Sequence, residues 1–175
     1  MQGRIIPVAF ALILASIGNS MAQGAMTAEA RLKEKNISLL PPPAAIANYV
    51  GAVQVGNLLF ASGNTAGPDG PKGKVGKELT VEQCYDAARQ TGLRVLSTVR
   101  ATLGTLDRVK RIVKVLGMVN SAEGFGDQPR VVNGFSDLMV DVFGEAIGKH
   151  ARSAVGMAGL PGNACVEVEM IMAVE

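Results

Sequence analysis

One long segment, from Thr80 to Leu103, constrains the fold more than any other part of the chain. Its apolar residues recur at the three- and four-residue spacing of one helix face, which predicts a long amphipathic helix. They are Val81, Cys84, Tyr85, Ala88, Leu93, Leu96, Val99 and Leu103. Thr80 and Gln83 stand three residues apart, as in a capping box, and Gly104 is a good C-terminal stop.

The segments around this helix have strand patterns and one further helical pattern. The predicted elements are strands at 49–55 and 58–62 joined by a turn at Gly56-Asn57, a strand at about 108–120, a helix beginning near Asp127 and Pro129, and two closing strands joined by the turn 160–163. The order β-β-α-β-α-β-β is typical of an α+β domain, with two helices on one face of a single mixed sheet.

The opposite sheet face needs a partner, which self-association would supply. The strand residues that we expect to need this burial are Val113, Val115, Val168 and Met170. The segment "GNTAGPDGPKGKVGKE" is rich in Gly, Pro and Lys, which predicts an exposed loop.

The first 22 residues have the pattern of a signal peptide. Arg4 precedes an apolar run from Ile5 to Ile17, and Ser20-Met21-Ala22 offers small residues for cleavage after Ala22. A membrane anchor is the alternative, but the run is shorter than the ~20 residues that span a bilayer as a helix. Export is therefore predicted, to the periplasm or beyond. A polar, Pro-rich lead segment (23–42) and one domain (43–175) follow, and the lead could form a short helix or a flexible arm.

Composition gives no reason to expect nucleic acid or a bound metal. Removal of residues 1–22 would take away Arg4, one of 17 basic residues, and none of the 15 acidic ones, which leaves a net charge of +1. No Lys/Arg block interleaved with aromatic residues is present, as an electrostatic footprint would require. Cys84 and Cys165 fit two buried thiols better than a disulfide. No Cys/His cluster suggests a metal, and no cofactor is expected.

Three stretches of the chain match motifs of a known family. They are "PAAIANYVGAVQVGNLLFASGNTA", "VNGFSDLM" and "ARSAVGMAGLPGNACVEVE". Because these three motifs occur in this order, the chain resembles the RidA/YjgF reactive-intermediate deaminases from about Pro43 to Ala173. Two positions depart from the family pattern, with Asn64 in place of Gln and Ala154 where Cys is often found.

This resemblance implies a chorismate-mutase-like fold, a homotrimer, and sites in clefts between subunits. It implies hydrolysis of enamines and imines such as 2-aminoacrylate to 2-keto acids and ammonia. Arg152 matches the arginine that binds the substrate carboxylate, and Glu167 matches the strand acid. The other positions that match the cleft are Tyr49, Ser62, Gly63 and Asn133. The alternatives are a carboxylate-binding trimer without catalysis and, less favoured, an endoribonuclease.

The residues themselves leave alternatives open. A guanidinium forms a planar fork for a carboxylate, but Arg152 could instead form an intersubunit or surface ion pair, for example with Asp137 or Asp141. Glu167 and Glu169 share one face of the last strand, and at least one of them is expected to be merely solvated. Asn133 could simply cap or face solvent, Tyr49 could pack at an interface, and His150 is expected to be an exposed hinge.

Overall fold

The computed structural model describes residues 26–175 and contains, within that range, three helices and one five-stranded sheet. The elements in chain order are α1 (Ala28–Glu34), β1 (Ala52–Val55), β2 (Leu58–Thr65), α2 (Val81–Leu103), β3 (Val109–Asn120), α3 (Gln128–Gly148), β4 (Ala151–Met157) and β5 (Val166–Val174). The predicted α+β class is confirmed. The predicted signal peptide lies outside the described residues.

Helices α2 and α3 begin where the sequence signals predicted, and α2 also ends where predicted. Thr80 and Gln83 form the reciprocal capping box, and Gly104 ends α2 with a positive φ of 83°. Asp127 is the N-cap residue of α3, and Pro129 lies in its first turn. The two helices cross closely at Gly134, where a Cβ atom would lie 2.8 Å from the carbonyl carbon of Tyr85.

The sheet has the strand order β1-β2-β5-β3-β4 and is mixed, because β3 and β4 are parallel while the other pairs are antiparallel. Helices α2 and α3 cover one face. The opposite face, which we call the uncovered face, carries Phe60, Leu116, Met118, Val155, Glu167 and Ile171. Phe60 and Val155 are each 40% exposed.

Three details of the predicted sheet are wrong. The first strand begins at Ala52 rather than Tyr49, and β2 continues past Ser62 to Thr65. Of the residues expected to need a partner, Val115, Val168 and Met170 are buried beneath the helices, and Val113 alone of the four is exposed. The predicted alternation along the strands is confirmed, but the helices cover the face that was expected to need a partner.

The lead segment contributes a helix to the packed structure. Leu32 of α1 is buried, and Lys35 at its C-cap forms an ion pair with Asp141 of α3 at 3.0 Å. Of the two forms predicted for this segment, residues 28–34 therefore adopt the short helix. Among residues 26–175, no helix is both long enough and apolar enough to span a membrane.

The Gly/Pro/Lys loop is anchored at the ends of β3 and β4. Val75 within it is fully buried, and the ammonium of Lys74 donates to Asn120 Oδ1 at 2.9 Å, Ser121 O at 3.3 Å and Ala158 O at 2.7 Å. Asn120, itself fully buried, also donates to Asn163 Oδ1 at 3.0 Å. The loop is therefore part of the structural core at this edge, and the expectation of a wholly exposed loop is wrong.

Cys84 and Cys165 are free, buried thiols, as the favoured interpretation predicted. Their mutual hydrogen bond, together with burial, raises the pKa of the Cys84 thiol. At neutral pH Cys84 is therefore not an activated nucleophile.

Candidate functional site

A β-bulge in β2 is the first element of the site. Ala61 pairs with Met170 and Asn64 with Val168, so Ser62 and Gly63 together lie opposite Glu169. A bulge adds one residue to a strand and redirects its backbone locally. The sequence predicted that this strand ends at residue 62, whereas the structure places the bulge inside a strand that continues to Thr65.

The carboxylate of Glu167 rests against this bulge. A Cβ atom on Gly63 would overlap Oε1 of Glu167 and would lie 3.2 Å from its Cδ. Glu167 is half-buried, whereas Glu169 is exposed. Burial raises the pKa of Glu167, and repulsion from Glu169 raises it further. A shift in this direction favours proton exchange by Glu167.

Ser62 joins the bulge to the segment that contains Tyr49. Its hydroxyl donates to Val50 O at 2.7 Å, and its amide donates to Gly51 O at 3.0 Å. Tyr49, the residue before Val50, is 47% exposed. We call Ser62, Gly63 and Glu167 the bulge cluster, and Tyr49 lies in the segment next to it.

Arg152 is held against α3 by three neutral acceptors. Its Nη1 donates to Asn133 Oδ1 at 2.9 Å and to Ser136 Oγ at 3.0 Å, and its Nη2 donates to Pro129 O at 3.4 Å. A guanidinium has five N–H donors. Nε–H and one Nη2–H of Arg152 therefore have no acceptor among residues 26–175, so the fork is oriented and retains two donors for a ligand.

The predicted alternative, an ion pair of Arg152 with Asp137 or Asp141, is wrong within the chain. Asp141 binds Lys35 and Arg89, each at 3.0 Å. Asp137 accepts the hydroxyl of Tyr85 at 2.9 Å. Asn133 does not simply face solvent either, because its amide oxygen positions Arg152.

His150 belongs to the same group of contacts. Its Nδ1 lies 2.6 Å from Gly148 O, and its Nε2 lies 3.1 Å from Ser136 Oγ. The ring is half-buried, so the predicted exposed hinge is wrong. We call Asn133, Ser136, His150 and Arg152 the arginine cluster. Sequence reasoning missed Ser136, although its spacing of three residues from Asn133 places both on one helix face.

The two clusters do not meet within one chain. Arg152 pairs with Val115, whose side chain is buried beneath the helices, whereas Glu167 pairs with Met118 on the uncovered face. Glu167 on β5 and Arg152 on β4 are also two strand spacings apart, roughly 10 Å. A cleft that uses both Arg152 and Glu167 therefore requires two copies of the chain.

Residues 26–175 contain no group of three or more His, Cys, Asp or Glu side chains that could hold a metal ion. The two clusters instead offer a cation with free donors, a half-buried carboxyl group, a hydroxyl group and an amide. These groups suit an anionic organic ligand and proton transfer.

Comparison with known proteins places this chain in a family. The profile of the family described as "YjgF/chorismate_mutase-like, putative endoribonuclease" matches residues 29–173. The chain belongs to this family, the YjgF/RidA family.

Three relatives illustrate the range of similarity. Protein TCP17 of Trypanosoma cruzi is 44% identical over 146 residues, which are 82% of this chain and 91% of that protein. The 2-iminobutanoate/2-iminopropanoate deaminase of Dermatophagoides farinae is 32% identical over 137 residues, 78% of this chain and 92% of that enzyme. A crystal structure of a protein of unknown function from Agrobacterium tumefaciens superposes with a TM-score of 0.76 at 39% identity, covering 85% of this chain and 92% of that one.

Proposed function

We propose that the protein hydrolyses reactive imines and enamines of small 2-amino acids to 2-keto acids and ammonia, in clefts between the subunits of a homotrimer. The observation that carries the proposal is the pair of half-sites, an oriented guanidinium with free donors and a half-buried carboxyl group, on opposite faces of one sheet. The deaminase from Dermatophagoides farinae supports the reaction class.

Assembly is proposed from the uncovered face. Phe60 and Val155 are each 40% exposed on this face, and Leu116, Met118 and Ile171 are partly exposed on it as well. Contiguous apolar surface of this kind is typical of an interface. Sedimentation at micromolar concentration should give three times the protomer mass, and a stable monomer would contradict the shared cleft.

In the proposed reaction, Arg152 binds the substrate carboxylate through its free Nε–H and Nη2–H donors. Glu167 of another subunit moves the proton that converts enamine to imine, from the nitrogen to the carbon. It then takes a proton from the water that attacks the imine carbon and returns it to the nitrogen. Collapse of the resulting carbinolamine releases ammonia and leaves the 2-keto acid. The raised pKa of Glu167 suits it to both accept and donate a proton. Because imines hydrolyse readily in water, orientation by Arg152 is expected to contribute at least as much as the base.

A carboxylate-binding trimer without turnover is the second candidate. It is favoured by the three contacts that orient Arg152, since these would serve binding alone. Release of ammonia from freshly generated imines separates the two candidates. Cleavage of RNA is the least favoured function, because the chain is nearly neutral and has no basic block.

Hybrid trimers test the shared cleft. Arg152→Gln and Glu167→Gln should each abolish most of the ammonia release when expressed alone. Random co-assembly of the two variants should restore about a quarter of the wild-type activity, because each cleft then receives both native residues with that probability. Hybrid trimers that form, verified by native mass, but show no restored activity would place both residues in one chain and contradict the proposal.

We also propose export with cleavage after Ala22. Mass spectrometry of the native protein should find Gln23 at the N-terminus. Intact residues 1–22 on the protein in a soluble cytoplasmic fraction would contradict it.

A further inference from the structure

His150, Ser136 and Arg152 form a hydrogen-bonded chain whose direction is determined by its first member. Gly148 O can only accept, so Nδ1 of His150 donates to it at 2.6 Å. In the neutral ring Nε2 is then an acceptor, and the hydroxyl of Ser136 donates to it across 3.1 Å. Oγ of Ser136 is left to accept from Nη1 of Arg152 at 3.0 Å. When His150 is neutral, the hydroxyl group of Ser136 therefore donates its hydrogen bond to the imidazole.

Protonation of His150 changes this arrangement in two ways. Nε2 becomes a donor, so Oγ of Ser136 accepts from both His150 and Arg152, and its hydroxyl proton is released for another acceptor. A second positive charge also appears two short hydrogen bonds away from the guanidinium. Without an anion the two cations repel each other, and burial, followed by this repulsion, lowers the pKa of His150, although the hydrogen bond to Gly148 opposes both.

A carboxylate bound at Arg152 offsets this repulsion between the two cations. The carboxylate neutralises the guanidinium, attracts the imidazolium and can accept a hydrogen bond from the freed hydroxyl group of Ser136. We infer that carboxylate binding at Arg152 and proton uptake by His150 are coupled through Ser136, so that His150 is a positioning residue that tightens ligand binding as the solution becomes more acidic. This inference rests on the proposed role of Arg152 as the carboxylate ligand. By thermodynamic reciprocity, the ligand must favour protonated His150 by the same factor.

The other charged residues around His150 do not provide an equivalent coupling. Asp137 and Lys149 line the same surface recess, which has a volume of about 440 Å³. Asp137 is engaged by Tyr85, and Lys149 pairs with Glu145 of α3 at 2.9 Å. On β3, Arg111 donates to Ala146 O, and Lys114 donates to Ser153 Oγ at 2.8 Å. Arg152 is the cation that shares a hydrogen-bond partner with the imidazole.

The chain contains a single histidine, so its titration can be followed directly. Nitrogen-15 NMR of the imidazole should show the Nδ1–H tautomer at high pH. Saturation with 2-oxobutanoate should raise the midpoint of His150 by about one pH unit, because unit charges at this separation interact on that scale in a half-buried site. The dissociation constant of 2-oxobutanoate, measured by calorimetry, should fall about tenfold between about pH 8 and pH 5, a range in which the probe's own carboxylate stays ionised.

Variants separate the coupling from general effects on the site. His150→Gln should remove the pH dependence of binding, and a dependence that persists in this variant would contradict the coupling. Lys149→Gln, which removes a neighbouring exposed cation, should keep the dependence. Ser136→Ala should weaken binding across the whole pH range, because Arg152 loses a support, and Ser136→Thr should restore it.

These experiments distinguish failure of the coupling from failure of the proposed deaminase function. If 2-oxobutanoate binds but the His150 midpoint does not move, the coupling is refuted while the deaminase proposal stands. If the probe binds at no pH, the coupling is refuted as well, and the ammonia assay on the same sample decides whether the deaminase proposal fails with it. The wild-type titration alone decides the question if a variant does not fold.

Discussion

Gly63→Ala is the sharpest test of the role of the bulge. The added Cβ would overlap Oε1 of Glu167 and would lie 3.2 Å from its Cδ, whereas carbon atoms in contact are ordinarily separated by about 3.5–4.0 Å. Gly63 has no positive φ in this structure, so alanine introduces no backbone strain. The obstacle is the end of a flexible side chain, which can move aside. We therefore expect the carboxylate to retreat by about 1 Å and the fold to remain intact.

A displacement of this size can cost about 10²-fold in turnover when a catalytic group is misplaced. Because the arginine cluster is untouched, kcat for imine hydrolysis should fall by up to that factor while KM changes little, and the melting temperature should stay near that of the wild type. Gly126→Ala is the matched control, because a Cβ there meets no atom within 4 Å. Full kcat in Gly63→Ala, with the fold verified, would refute the argument that Glu167 acts from its position on the bulge.

Four further substitutions test the site and the packing of the helices. Glu167→Gln should lower kcat by ~10²-fold while Glu169→Gln changes it little, because the amide cannot exchange the proton. Glu167→Gln should also raise the melting temperature at about pH 7: burial raises the folded-state pKa of Glu167, so its ionised form destabilises the fold, and this difference should vanish at about pH 3, where the carboxyl is protonated in both states. An unchanged melting temperature at pH 7 would count against the burial argument. Arg152→Lys should lower kcat/KM for imines by roughly 10- to 100-fold through loss of the planar fork, and unchanged kinetics would remove Arg152 from the site. Gly134→Ala should cost ~1–3 kcal/mol in urea unfolding, because its Cβ meets the Tyr85 backbone, which cannot rotate away; a smaller effect would mean that the helices can separate at little cost.

The helices were predictable because their signals are local. The capping box at Thr80 and Gln83 and the stop at Gly104 lie within the helix or next to it, and the structure confirms all three. The alternation in β5 likewise placed Glu167 and Glu169 on one face. Each of these features depends on residues a few positions apart.

The remaining features depend on partners that are distant in the chain. The bulge at Ser62 exists only in relation to β5, more than a hundred residues later, so the strand appeared to end there. Alternation also cannot tell which face the helices will cover, and for this reason Val115 and Met170 were assigned to the wrong side. The contacts of Arg152 could not be read from the sequence, because neutral acceptors on α3 took the place of the expected aspartates.

The anchoring of Lys74 has a consequence for the order of folding. Its three hydrogen bonds reach residues 46, 47 and 84 positions away along the chain. Asn120 and Ser121 lie at the end of β3 and Ala158 follows β4, so the three acceptors are in place together only when the two strands lie side by side. Complete closure of this loop therefore cannot precede the parallel pairing. We expect the loop to be fixed last during folding and released first during local opening, with the amide of Val75 exchanging with solvent faster than the amides of the central strands.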